Sequence, residues 1–133
     1  MRGWLVSVPL IALVLGGAVA LAHEGHTKEH NHPYPKRDFS LRRGAALYRQ
    51  YCAQCHGRNG YNPDPPAYMD PRPSNFLDRQ YMVMKSRIDL FEAARDGRPG
   101  TRMRPWADRL SEDELWDVVS WIEHLFTHEA HKR

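Results

Sequence analysis

The two cysteines of this 133-residue chain lie three positions apart, and a histidine follows the second one directly, in Cys52-Ala53-Gln54-Cys55-His56. Two thiols at this spacing can form a redox disulfide, bind a metal ion or attach a porphyrin. A structural zinc site needs four ligands, and the chain has no further cysteine. A redox disulfide of the thioredoxin type is expected among alternating strands and helices, and no such pattern flanks Cys52.

The interpretation that fits is a C-x-x-C-H haem-attachment motif. Two thiols at this spacing can add to the two vinyl groups at one edge of a porphyrin. The next residue then lies under the ring, where its imidazole can bind the iron. The sequence therefore predicts one haem c, attached covalently to Cys52 and Cys55, with His56 as an axial iron ligand.

Six residues are candidates for the second axial ligand: Met69, Met82, Met84, Met103, His124 and His128. Met103 is favoured because it lies in the segment RDGRPGTRMRPWADRL, a Gly- and Pro-rich loop that can present a thioether to the iron. Met82 and Met84 are interpreted as core packing residues. Met69 follows the motif too closely to reach the opposite face of the ring. The two histidines lie on a predicted closing helix, where surface histidines are common.

These segments resemble the class I c-type cytochromes, which are small single-haem electron carriers. The resemblance covers about residues 40–127 and rests on four segments: CAQCH, RPGTRMRPW, LRRGAALYRQY and SEDELWDVVSWIEHL. It implies an all-α cytochrome c fold, in which N- and C-terminal helices cross around the haem and long loops complete the domain. It also places Met103 in the axial-methionine loop, although here Arg104 separates Met103 from Pro105.

The pattern of the first predicted helix agrees with this fold. Ser40 is a plausible N-cap, and Leu41, Ala45 and Tyr48 recur at helical spacing. A glycine inside a helix costs about 1 kcal/mol relative to alanine. Gly44 therefore indicates a position where another helix crosses.

The last predicted helix begins with Ser111 and Glu114, which are spaced as a capping box. Its apolar stripe comprises Leu115, Val118, Val119, Ile122 and Leu125. The resemblance implies that Trp121 packs on Gly44 and Tyr48.

Between the two terminal helices, residues 59–76 form a proline-rich loop, and residues 88–95 are predicted to be a middle helix with Leu90 and Phe91 facing inward. In the family, a loop of this kind supplies a backbone carbonyl to the free ring N–H of the ligand histidine. Pro65 and Pro66 are the nearest matches for that carbonyl.

The ends of the chain differ in composition from the rest. Residues 1–22 are predicted to be a signal peptide, with an uncleaved membrane anchor as the alternative. Residues 23–39 are predicted to be a flexible linker, residues 40–128 the cytochrome domain and residues 129–133 a tail. Four histidines of the linker could bind copper or zinc weakly: His23, His26, His30 and His32.

The predicted function is single-electron transfer between redox proteins outside the cytoplasm, in the periplasm, without an enzymatic reaction. Two alternatives remain open: a haem-c subunit of a larger dehydrogenase or oxidase, and a haem enzyme or gas sensor with a labile axial site. The net charge of +3 combines 19 basic and 16 acidic residues that are interleaved, which argues against nucleic acid as a partner. Four arginines near the predicted site favour an acidic docking surface on the redox partner: Arg58, Arg98, Arg102 and Arg104.

Overall fold

The structure, a computed structural model, describes residues 34–129. Within this range, five α-helices follow one another: α1 (Leu41–Tyr51), α2 (Ala53–His56), α3 (Arg79–Val83), α4 (Arg87–Asp96) and α5 (Glu112–Glu129). No strand occurs within the described range. The predicted all-α architecture is therefore confirmed. None of the helices in residues 34–129 is long and apolar enough to cross a membrane.

Helix α1 begins where the sequence predicts, directly after Ser40. The Ser40 hydroxyl accepts a hydrogen bond from the backbone N–H of Arg43 at 3.2 Å, which satisfies one of the free donors at the helix start. Ala45 and Tyr48 are buried as expected. Leu41, which shares their helical spacing, is 42% exposed, so the buried face of α1 is confined to its later turns.

Helices α1 and α5 cross at Gly44, as the resemblance implied. A Cβ atom at Gly44 would lie 2.6 Å from the carbonyl carbon of Asp117 and 3.2 Å from the Cβ of Trp121, and closer still to the Asp117 carbonyl oxygen. Real Cβ contacts are not this short, so the two backbones can approach only because residue 44 has no side chain. Gly44 therefore lowers the intrinsic helix propensity of α1, but it allows α1 and α5 to cross at this short distance.

Helix α5 begins with the predicted capping box. The Ser111 hydroxyl accepts from the Glu114 N–H at 3.3 Å, and the Glu114 carboxylate accepts from the Ser111 N–H at 2.9 Å. The hydrogen bonds that the Ser111 N–H and hydroxyl donate to the Glu114 carboxylate lower the pKa of Glu114. All five residues of the predicted apolar stripe are buried, which confirms that this face of α5 belongs to the core.

The middle of the chain contains one helix that the sequence predicts and one that it does not. Helix α4 is one residue longer at each end than predicted, and it starts with a second capping box between Ser86 and Asp89. Its residues Leu90 and Phe91 are buried, as expected. The short helix α3 was not predicted; the Asp78 carboxylate caps it by accepting from two backbone N–H groups.

Residues 34–39, which the sequence analysis placed in the linker, contact the helices and are called the N-terminal segment below. The ring of Tyr34 lies 5.3 Å from that of Trp116 on α5, measured between centroids. Arg37 donates to the fully buried Asp117 at 3.0 Å. Three parts of the chain lie outside the described residues: the predicted signal peptide (residues 1–22), residues 23–33 with the four histidines of the linker, and residues 130–133.

Candidate haem site

The CxxCH motif forms a single helical turn. The backbone N–H of His56 donates to the carbonyl of Cys52 at 3.0 Å, and the N–H of Cys55 donates to the same carbonyl at 3.1 Å. Residues three and four positions apart share one face of a helix. The turn therefore brings both thiols and the imidazole to the same side, where all three line one cavity.

The two thiols are not bonded to each other. Burial raises the pKa of the Cys52 thiol to about 12, and the neighbouring Cys55 adds to this rise. A redox-active CxxC pair depends on a lowered thiol pKa, because the thiolate is the attacking species. The environment of Cys52 has the opposite effect, and it disfavours a thioredoxin-type reaction.

His56 is buried, with 9% of its surface exposed. Its Nδ1 lies 3.1 Å from the carbonyl oxygen of Ser74. Because a carbonyl can only accept, Nδ1 carries the proton, and Nε2 of the neutral ring keeps its lone pair. Burial lowers the pKa of His56, while the bond to Ser74 opposes this shift. The ring also stacks on Phe76, with centroids 4.7 Å apart. Both contacts fix the orientation of an imidazole whose free nitrogen can bind a metal.

The carbonyl that orients His56 comes from the proline-rich loop, as expected, but from a different residue. The prediction of Pro65 or Pro66 was wrong, since the acceptor is Ser74. The loop is held at its end by the N–H of Phe76, which donates to the carbonyl of Gly60 at 2.8 Å. Because of this contact, the segment around Pro73 lies beside the ring of His56. A path of this kind depends on the folded loop rather than on local sequence.

Met103 lies half-buried in the loop between α4 and α5, and it lines the same cavity as the motif. Its N–H donates to the Thr101 hydroxyl at 3.0 Å, and its carbonyl accepts from the N–H of Arg98 at 2.8 Å. Gly97, with φ of 73°, starts this turn, and a Cβ there would lie 2.6 Å from the Met103 carbonyl oxygen. The role of Gly97 was missed from the sequence, although a glycine directly after a helix often marks a residue with positive φ.

The burial and position of the other candidate ligands agree only in part with the prediction. Met69, which was considered too close to the motif, is 7% exposed and lines the cavity together with Met103. Met82 is buried in the core, as interpreted, but the same interpretation of Met84 was wrong because Met84 is 77% exposed. His124 and His128 lie on α5 away from the cavity lining.

The cavity has a volume of about 400 Å³ and is lined mainly by apolar and aromatic side chains. This volume falls in the range of protein sites for cofactors and other small ligands. Leu90 and Ala94 of α4 and Leu115, Val118 and Ile122 of α5 form part of its wall. The apolar faces of these two helices therefore serve both as core and as the lining of the site.

Five cationic residues also line the cavity, and they are called the basic rim below: Arg72, Lys85, Arg98, Arg102 and Arg104. Among the described residues that line it, none is acidic. Arg104 forms an ion pair with Asp108 at 3.0 Å, and the Arg102 guanidinium lies 5.5 Å from the centroid of the Tyr68 ring. Arg58 is exposed but does not line the cavity. Arg72 and Lys85 were missed because they are far in sequence from the motif and from Met103.

The residues present fit a covalently attached haem. An apolar cavity contains two thiols from one helical turn, an imidazole with an available nitrogen and two thioethers. Imidazole and thioether are common axial ligands of haem iron, and paired thiols are its usual covalent attachment. Within residues 34–129, no group of three or more His, Cys, Asp or Glu side chains could hold a bare metal ion.

Comparisons with known proteins agree with this chemistry. Cytochrome c550 of Pseudomonas aeruginosa is 28% identical over 107 residues, which cover 77% of this chain and 68% of the relative. Cytochrome c-L of Methylorubrum extorquens is 31% identical over 90 residues, which cover 65% of this chain but only 41% of that longer protein. A solved structure, the KustC0563 c-type cytochrome, matches with a TM-score of 0.53 at 25% identity, covering 62% of this chain and 95% of the other.

The fold match shows that the five helices adopt the all-α cytochrome c fold. Residues 39–122 match the family described as Cytochrome C oxidase, cbb3-type, subunit III, and this match spans more than half of the chain. The family and the relatives are haem-c electron-transfer proteins. The chain therefore belongs to this cytochrome c family, as a class I c-type cytochrome that carries covalently bound haem c.

Proposed function

We propose that this protein is an exported single-haem electron carrier of the periplasm, in which Cys52 and Cys55 hold the haem covalently and His56 and Met103 bind its iron. The observation that carries this proposal is that all four side chains line one apolar cavity. When bound, haem supplies an iron that can be ferric or ferrous, which is the chemistry of one-electron transfer.

The protein's contribution is to hold the iron ligands in place in both oxidation states. Ser74 accepts the Nδ1 proton of His56, which keeps the imidazole in one tautomer and makes Nε2 a better ligand. The turn Gly97–Met103 is closed by two hydrogen bonds and limits the movement of the thioether. The apolar wall excludes water and so disfavours the extra positive charge of the oxidised state.

Electron transfer is favoured over a haem enzyme or gas sensor because an imidazole and a thioether both line the cavity, so two protein ligands would be available to the iron. An enzyme or sensor needs a coordination position that is open or easily vacated. Here Met103 lies on a closed turn, and Met69 provides a second thioether in the same cavity. These features support a six-coordinate iron with no position for a substrate.

The basic rim supports an acidic docking surface on the redox partner. Its cations surround the cavity without an acidic residue among the described lining, although the net charge of the whole chain is only +3. A local excess of one sign can raise association rates tenfold or more at low salt. The location in the periplasm is supported by the signal-peptide pattern of residues 1–22.

A second candidate is a haem-c subunit of a larger oxidoreductase, because the matching family is described as an oxidase subunit. The two possibilities differ in how the native protein is assembled. A free carrier elutes from size exclusion at the size of the single chain after extraction of the periplasm. A subunit stays in the membrane fraction and co-purifies with larger redox proteins.

Visible spectra in both oxidation states test the proposed function most simply. The ferric protein is expected to show the weak far-red band of thioether ligation, and the ferrous protein is expected not to bind carbon monoxide. Redox titration should give one reversible one-electron transition. A five-coordinate spectrum with rapid carbon monoxide binding would instead support the enzyme or sensor.

A further inference from the structure

Two histidines on α5 lie outside the haem site and have no role in the proposed function. His124 and His128 are four residues apart, and their ring centroids are 4.1 Å apart with an angle of 41° between the planes. Side chains at this spacing share one face of a helix. His128 is exposed and His124 is partly exposed, so solutes can reach both rings.

The orientation of His124 is fixed by a third aromatic residue. Its ring stacks on the indole of Trp121, with centroids 5.0 Å apart and planes 25° apart. Among the described residues, neither histidine ring is hydrogen-bonded to another side chain or to the backbone. The ring nitrogens are therefore not occupied by protein partners within that range, and one of the two imidazoles is held in place before any ligand arrives.

Paired histidines at i and i+4 are a common metal-binding arrangement on helices, and the zinc-binding HExxH motif uses the same spacing. Two nitrogens that bind one ion at their usual distances lie roughly 3 Å apart. The ring centroids lie 4.1 Å apart, so a small rotation of the exposed His128 side chain can bring one nitrogen of each ring to this separation. Imidazole nitrogen suits Cu²⁺, Ni²⁺ and Zn²⁺, and Cu²⁺ is the tightest of these by the usual order of divalent metals.

We propose that His124 and His128 form a surface site that binds one divalent transition-metal ion, with Cu²⁺ preferred and with water completing the coordination. The described part of the chain supplies no third ligand, since it contains no cluster of three metal-binding side chains. The site is therefore weaker and more readily exchanged than a structural metal site. Because the two ligands are one turn apart, a bound ion also links the last turns of α5.

Copper titration of the ferric holoprotein tests this site. The histidines of the chain's ends could also bind copper, so the titration uses a background in which His23, His26, His30, His32 and His131 are replaced by Asn. Isothermal calorimetry with Cu²⁺ alone should show one ion per chain. The electron paramagnetic resonance spectrum of the bound Cu²⁺ should show coupling to two imidazole nitrogens.

Two variants and a control identify the ligands. His124→Phe keeps a ring to stack on Trp121 but removes the nitrogens, and His128→Ala removes the other ligand. Each should weaken binding about tenfold or more, since the loss of a supporting contact alone costs a metal site that much. Thr127→Ala, on the same helix between them, should leave binding unchanged. The visible spectrum of every variant should match that of the background, which shows that the haem domain is intact.

Three results would overturn the inference. Copper affinity that is equal in the background and in the His124→Phe and His128→Ala variants would show that the ion binds elsewhere. Absence of calorimetric binding in the background would show that the pair is too weak to act as a site. One ion per two chains, with a doubled mass in light scattering, would show that the ion bridges two molecules instead of binding to one.

Discussion

The haem cavity contains two methionines, and only one of them can be the second axial ligand. Met103 is fixed by hydrogen bonds of its own turn, to Thr101 and Arg98. Met69 is more deeply buried, with its N–H donating to the carbonyl of Pro66 at 2.9 Å. The proposed role of Met103 therefore needs a test that separates these two residues.

Met103→Ala is expected to abolish the far-red band and to open the iron to cyanide. Because thioether ligation favours the ferrous state, the potential should fall, by roughly 0.1 V or more within the range of about 0.8 V that axial ligands set. Met69→Ala is expected to keep the band, and Met82→Ala, in the core, serves as a second control. Spectroelectrochemistry measures all three. A band lost in Met69→Ala and kept in Met103→Ala would assign the ligand to Met69.

At the residue scale, the sequence is most informative where the chemistry is local. Cys52, Cys55 and His56 could be predicted together because one helical turn is enough to bring them to one side. Ser74 could not be predicted, because its contact with His56 depends on how an 18-residue segment returns to the ring. The exposure of Met84 could not be predicted either, since methionine occurs both in cores and at surfaces.

At the scale of helices, the packing of α1 on α5 depends on Gly44. Gly44→Ala is expected to destabilise the holoprotein by about 2 kcal/mol or more, because the overpacking outweighs a gain of about 1 kcal/mol in helix propensity. Guanidinium unfolding followed by circular dichroism measures the change. Arg42→Ala, at an exposed position of the same helix, should change the free energy of unfolding by less than about 0.5 kcal/mol. A stabilised Gly44→Ala protein would show that the helices do not approach so closely.

The contact between α1, α5 and the N-terminal segment is centred on Asp117. Its buried carboxylate accepts from Arg43 at 2.5 Å, from Arg37 at 3.0 Å and from the N–H of Ser40 at 3.1 Å. A buried carboxylate is tolerated when several donors satisfy it. Removal of its charge takes away the ion pair of Arg43, while Arg37 keeps its second ion pair with Asp113.

Asp117→Asn is therefore expected to destabilise the protein by about 2 to 3 kcal/mol, with the arginines' partial exposure limiting the loss. Asp108→Asn changes an exposed ion pair in the same way, and it should cost less than about 1 kcal/mol. Thermal or guanidinium unfolding compares the two. Equal effects for both would show that the Asp117 cluster contributes no more than a surface pair.

The helices themselves were largely predictable, whereas their connections were not. α1, α4 and α5 each have a capping residue and an apolar pattern long enough to be read from the sequence. Helix α3 has only five residues, too few for a periodic pattern, and its signal is the single cap Asp78. The packing of residues 34–39 depends on Asp117 and Trp116, which lie about eighty positions away and become neighbours only in the folded chain.

At the scale of the whole molecule, the basic rim is expected to guide the redox partner. Electron-transfer rates with the native partner should fall as salt rises, since the Debye length is only about 8 Å at physiological ionic strength. Replacement of Arg98 and Arg102 with Glu should slow the reaction at low salt and leave the visible spectrum unchanged. The control variant carries Arg42→Glu and Arg49→Glu on α1. These substitutions change the net charge by the same amount at positions that do not line the cavity. They should have a smaller effect on the rate, measured by stopped flow.

Rates that stay constant or rise with salt would contradict an acidic docking surface. An equal loss of rate in the Arg98 and Arg102 variant and in the α1 variant would show that net charge matters rather than its position. Either result would leave the haem assignment unaffected, because the charges of the rim are separate from the proposed iron ligands.

The central claim is that one haem is attached to this chain through Cys52 and Cys55, and haem staining of a denaturing gel tests it most directly. The unaltered protein, produced with its natural export segment, is expected to retain haem on the polypeptide after denaturation, with a mass increased by one haem. The variant with both Cys52→Ala and Cys55→Ala is expected to carry no covalent haem and to yield little folded protein, because the cofactor fills the centre of a small domain. Haem that is released from the unaltered protein by acid and organic solvent would contradict the claim.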